Sequence, residues 1–157
     1  MRHIRPGLCL AAAIAIASVS LAQSTEHIVE NLQDARWGPA PPMLPPGASA
    51  EVLAGNPSQS VPVTLRVRVP EGYRIPPHSH PTDENVVILS GTVGFGMGDK
   101  MDTSAVKLLR VGGYALMPAG MNHFAYAKTA ASILIYAQGP IEFKYVNPAD
   151  DPRNQKK

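Results

Sequence analysis

Cysteine is nearly missing from this chain: among 157 residues only Cys9 carries a thiol, and it sits in the apolar N-terminal stretch. Once that stretch is removed, no disulfide can form in an oxidising compartment, and no thiolate is left as a nucleophile or metal ligand. A basic excess is lacking too. The formal charge of +2 comes from 14 Lys+Arg against 12 Asp+Glu, and Arg2 and Arg5 are the only charges in the first 22 residues. Beyond them the balance is 14 − 2 = 12 basic against 12 acidic residues. A neutral chain without a basic run has no electrostatic reason to seek nucleic acid or anionic lipid. Aromatics are scarce at 6%, whereas the chain holds 16 prolines and 13 glycines, which point to short elements broken by many turns.

A long hydrophobic run is absent as well. Leu8 to Leu21 is almost wholly apolar but only 14 residues long, short of the roughly 18–20 that span a bilayer. The basic Met1–Arg5 segment precedes it and Ser20-Leu21-Ala22 follows, with small residues at the two positions a signal peptidase reads. Residues 1–22 therefore read as a signal peptide cleaved after Ala22, which makes the protein exported, periplasmic or secreted, with no membrane span after processing. A retained membrane anchor is the competing reading. A lipoprotein is excluded because Cys9 lies near the start of the apolar run instead of after it.

Residues 23–47 are expected to form a short helix and a Pro-rich arm. The helix would run from Ser24 to Arg36, capped by Ser24 or Thr25, with Ile28, Leu32 and Ala35 on one face. Pro39 to Gly47 holds five prolines in nine residues, which excludes helix and ladder pairing and leaves an extended arm that lies along the core or moves in solvent, with Trp37 at its head pinning it to the barrel. From residue 48 to 146 the pattern changes to strands. Val61, Val63, Leu65, Val67 and Val69 alternate with Pro62, Thr64, Arg66 and Arg68, a period of two with one face buried. Further strands are expected at 51–54, 73–80, 84–90, 92–97, 106–111, 114–117, 123–127, 132–138 and 141–146, punctuated by Gly-Asp-Lys at 98–100, Gly112-Gly113 and Pro118-Ala119-Gly120. The fold class is all-β, an antiparallel double sheet closed as a sandwich or barrel. Residues 147–157 form a polar C-terminal tail, loose at its end.

Beyond residue 22 there are four histidines, His27, His78, His80 and His123, and three of them fall in two glycine-framed segments. The first runs Gly72, His78-Ser79-His80, Glu84, Gly91. Side chains at i and i+2 of a strand share a face, so His78 and His80 can converge on one ion. Glu84 follows a Pro81-Thr82 bend and enters from the next strand. The second segment, Gly112, Pro118-Ala119-Gly120, His123, adds one more inward imidazole. Three imidazoles and a carboxylate make a nitrogen and oxygen donor set for one divalent transition metal ion: Fe, Mn, Zn, Ni or Cu. A set that leaves room for further ligands is a reactive arrangement, since structural zinc commonly recruits cysteines and closes its shell.

These two segments resemble the paired motifs of the cupin superfamily, and the chain is similar to small single-domain secreted bacterial cupins of the type-2-like kind. The resemblance covers residues 48–146 and leaves the arm outside it. It implies a jelly-roll β-barrel with His78, His80, Glu84 and His123 as metal ligands. A closing asparagine that the family places after the last histidine is Ala127 here, which bears on packing and not on ion binding.

Positions sharing parity with the ligands should face the interior: Val86 and Ile88, then Val93, Phe95 and Met97, then Ala125 and Ala127. Tyr73, Tyr114, Tyr126 and Tyr136 read as packing residues, and Arg66, Arg68 and Arg74 as solvated strand faces. The function this implies is a metal-dependent oxygenase or oxidase acting on a small organic substrate. The alternative is a non-catalytic periplasmic protein that binds a small molecule or a metal. A homodimer through sheet edges or swapped arms (residues 37–50) is a further expectation that the family resemblance raises.

Overall fold

The computed structural model describes residues 27–155. The expected signal peptide, Cys9 and the Ser24 or Thr25 cap lie outside them. Eleven strands follow in chain order: β1 (Gly38–Pro39), β2 (Ser49–Ala54), β3 (Pro62–Val69), β4 (Arg74–Ser79), β5 (Glu84–Ser90), β6 (Thr92–Met97), β7 (Lys107–Arg110), β8 (Tyr114–Met117), β9 (His123–Ala127), β10 (Ala131–Gln138) and β11 (Lys144–Tyr145). They pair in two antiparallel sheets ordered β1-β2-β3-β10-β5-β8 and β11-β4-β9-β6-β7. The strand bounds follow the alternation because each sheet has one face on a common core and the other outward. Val63, Leu65, Val67 and Val69 are all buried, as their period of two requires. Across the core stand Val93, Ala125 and Ala127 of the second sheet. Each fully buried Val or Ile contributes about 1.5–3 kcal/mol relative to exposure.

Four expectations need correction. Of the helix expected over 24–36, the described part holds only a 3-10 turn at Leu32–Asp34. Residues 27–36 are held from outside instead, because Arg66 is buried rather than solvated. Its guanidinium lies 3.2 Å from Glu51 and 3.6 Å from Glu30, and donates to the carbonyls of Asn31 and Glu30. The arm does join a ladder at its head, where Gly38–Pro39 pairs with Ser49–Ala50 at the edge of the sheet, a position that tolerates a missing N–H. Met97, expected to face the interior, is 50% exposed, since it ends β6 where the barrel wall stops. The tail is described to residue 155 and holds two 3-10 turns, Pro148–Asp150 and Pro152–Asn154; its end, residues 156–157, lies outside the described residues. Arg153 ties it to the barrel by donating to the Phe143 carbonyl while chelating Asp151.

The remainder of the arm lies along the barrel. Arg68 stacks its guanidinium 4.7 Å from the Trp37 ring centre. Leu44 is buried in the core. Two buried tyrosines hold the arm's carbonyls: Tyr73 donates to Pro45, and Tyr145 donates to Met43 at 2.7 Å. Burial raises the pKa of both phenols, so both stay donors at any ordinary pH.

Candidate metal centre

A bulge decides where the histidines point. β4 and β9 pair Ile75 with Ala125 and then His78 with His123, so three steps on β4 match two on β9. If the same residues paired without a bulge, Pro77 would oppose His123 and His78 would face out. The Pro76-Pro77 pair occupies the irregularity, where the missing N–H groups cost no ladder bonds. As a result Ile75, His78 and His123 line the same cavity although Ile75 and His78 differ in parity.

His78, His80 and His123 are all buried, and their ligand-capable ring nitrogens lie within 4.8 Å of one another. Glu84, at the start of β5, brings Oε2 to 3.4 Å from His80 Nε2 and 3.8 Å from His123 Nε2. Each ring is turned by a backbone carbonyl facing its Nδ1: Pro76 at 2.7 Å for His78, Glu142 at 2.8 Å for His80 and Met121 at 3.1 Å for His123. Those contacts assign the proton to Nδ1 and leave Nε2 as a lone pair. His80 Nε2 and His123 Nε2 are buried without a hydrogen-bond partner. In the neutral tautomer they face each other and a carboxylate, acceptor against acceptor. Such a cluster calls for a positive charge in its midst, a proton or a metal ion. The donor set therefore fits a divalent cation, with outer carbonyls fixing the rings as in metal sites generally.

Electrostatics follow the same logic. Burial lowers the His78 pKa to about 2, helped by the neighbouring His123 and His80 and opposed by the Pro76 carbonyl. Burial also lowers that of His123, against the Met121 carbonyl and Glu84. At His80 burial again disfavours the cation, but Glu84 and the Glu142 carbonyl outweigh it and raise the pKa. Of the three imidazoles, His80 is therefore the one most disposed to take up a proton.

The polar corner opens into a cavity of ≈ 780 Å³ of atom-free space, mouth included, with otherwise apolar walls. Val86, Val93, Phe95, Ala125 and Ala127 line it as parity predicts, and Ile88 is buried in the adjoining core. Tyr73 and Tyr126 reach its wall, whereas Tyr114 and Tyr136 are exposed on the outer sheet face. The arm, unassigned to the site by the sequence, supplies Pro41, Met43 and Leu44 to the wall. Phe143 was also missed. Its ring stacks on His78 at 4.3 Å and 8°, and meets His80 edge-on at 4.5 Å. The only local signal was the spacing of Phe143 and Tyr145, two apart in a segment read as a strand.

Against known proteins, residues 25–142 match the family model of the ChrR Cupin-like domain, so the match reaches back through the arm. Germin-like protein 3-1 of Oryza sativa subsp. japonica is 30% identical over 137 residues, which is 87% of this chain and 56% of that protein's length. The polyketide cyclase RemF of Streptomyces resistomycificus superposes with a TM-score of 0.66 at 17% identity, over 81% of this chain and 90% of that one. An RmlC-like cupin of Shewanella frigidimarina gives 0.56 at 12% identity, over 72% and 91%. KdgF of a Halomonas species gives 0.54 at 14%, over 73% and 96%. These three structures share the jelly-roll fold with this chain.

Proposed function

Because this chain belongs to the ChrR cupin-like family of the cupin superfamily, we propose that it is an exported metal-binding cupin that carries out an oxygenase- or oxidase-type reaction on a small organic molecule. The observation that carries the proposal is the pair of buried, unpartnered imidazole nitrogens, His80 Nε2 and His123 Nε2, beside Glu84. His78, His80, Glu84 and His123 would hold one transition metal ion, which when bound supplies Lewis acidity and, for Fe, Mn, Ni or Cu, redox capacity. The protein's own contribution is to keep the imidazoles neutral, to fix their Nδ1 protons on carbonyls and to keep the substrate side dry. The apolar run at 8–21 and the small residues at 20–22 support export. One protein of the same fold is named a polyketide cyclase, which supports only that the fold can house a catalyst.

The non-catalytic binding reading has one observation in its favour. Outside the donor set, the cavity's side chains offer no free acid or base: Tyr73 is engaged with Pro45 and the others, Tyr126 aside, are apolar. Metal analysis and oxygen uptake separate the readings. Near one redox-active ion per chain is expected, with oxygen consumption on a panel of diketones, enediols, flavonols and hydroxy acids that His80→Ala abolishes. A metal-dependent rise in Tm with one panel member, without oxygen uptake, favours the binder. Unchanged metal content in the His78→Ala/His123→Ala double variant would sink both.

A further inference from the structure

The cavity is graded along the barrel axis. The register sets His78 opposite His123, and Glu84 of the other sheet reaches to 3.8 Å from His123, so the three form one layer. The next layer is Ile75, Ala125 and Phe95, and beyond it come Val93 and Ala127. From His123 to Ala127 the strand advances four residues, roughly 13 Å at strand rise. Every lining residue past the ligand layer is apolar except Tyr73 and Tyr126, and the Tyr73 hydroxyl is taken by the Pro45 carbonyl. Among the described residues, the wall contains no Lys, Arg, Asn, Gln, Ser or Thr. A hydroxyl, carboxylate or phosphate placed there would lose its water without gaining a partner, which lowers affinity by roughly ten- to a hundredfold per group.

We infer that the barrel takes an uncharged, largely apolar molecule with one oxygen function at one end, its apolar body lying along Phe95, Ala125 and Ala127. Sugars, sugar phosphates and polycarboxylates do not fit this wall. The two alanines keep space that a larger side chain would fill. The placement of the oxygen function toward the imidazoles rests on the metal reading above. The choice of an apolar body rests on the wall alone.

Calorimetric titration of the metal-loaded protein with 2-naphthol and, separately, glucuronate tests this. Binding of 2-naphthol at least tenfold tighter than glucuronate is expected. Ala127→Val should weaken it roughly tenfold while leaving metal content unchanged. Should that variant fold poorly, Phe95→Ala gives the complementary reading: a larger cavity that gains affinity for anthracen-2-ol relative to 2-naphthol. Repeating the titration on chelator-treated protein separates the two ideas. Stripped protein that takes up no metal on reloading yet binds 2-naphthol in an Ala127-sensitive way refutes the metal reading and keeps this one. Glucuronate binding as tight as 2-naphthol, or 2-naphthol binding indifferent to both variants, overturns the inference.

Discussion

At the scale of single residues, burial has converted ordinary side chains into committed ones. His78 and His123 have lowered pKa values, His78 to about 2, chiefly through desolvation. Unfolded, both would titrate near 6.5. The unfolded chain therefore binds more protons below that value, and stability held above about pH 6.5 is lost as the pH falls. His80 runs the other way: its raised pKa adds stability below about 6.5 that disappears as the pH rises through its folded value. With two imidazoles against one, chelator-treated protein is expected to melt lower at pH 5 than at pH 7.5, measured by calorimetry, and His78→Asn should flatten that dependence. Arg66 is the second case. It lies on the outward parity of β3, yet residues 27–36 close over it and its partners Glu51 and Glu30. Arg66→Ala strands two carboxylates and frees two carbonyls, so a loss of about 3 kcal/mol is expected in urea unfolding. A loss under about 0.5 kcal/mol would mean that the pairs behave as surface ones.

Among the elements, β4 shows how one extra residue sets the chemistry. Its bulge against β9 lets Ile75 and His78 face the same way. Deleting Pro77 removes the extra residue, so pairing from Ile75 runs regularly to His78 opposite His123, and His78 and His80 keep their inward parity. The deletion variant should fold with the same strand content by circular dichroism and keep most of the wild-type metal. Loss of the metal from a folded deletion variant would show that the bulge itself, beyond parity, positions the rings. The arm is the other informative element. Its prolines suppress regular structure, yet two tyrosine donors and Leu44 fix it over the cavity mouth. The family match also extends over it, although it carries no motif.

For the molecule as a whole, an ion bound by His78 on β4, His80 just past it, Glu84 on β5 and His123 on β9 would link both sheets at one end of the barrel. Metal that binds the folded chain and not the unfolded one stabilises by about 4 kcal/mol at a thousandfold excess over Kd. Stripping with a chelator is therefore expected to lower Tm by several degrees, restored on adding the ion back, and to leave a His78→Ala/His123→Ala variant unmoved. The sequence by itself determined the all-β class, nearly every strand and which three histidines the fold gathers. Alternation and turn residues are local signals, and three imidazoles framed by glycines leave few other readings. Only the tertiary structure decided which faces meet: that Arg66 is covered, that Phe143 stacks on His78, that the arm walls the cavity and that a bulge re-aims β4. Each of these depends on residues far apart in sequence and on packing that removes water, and neither is written in any local pattern.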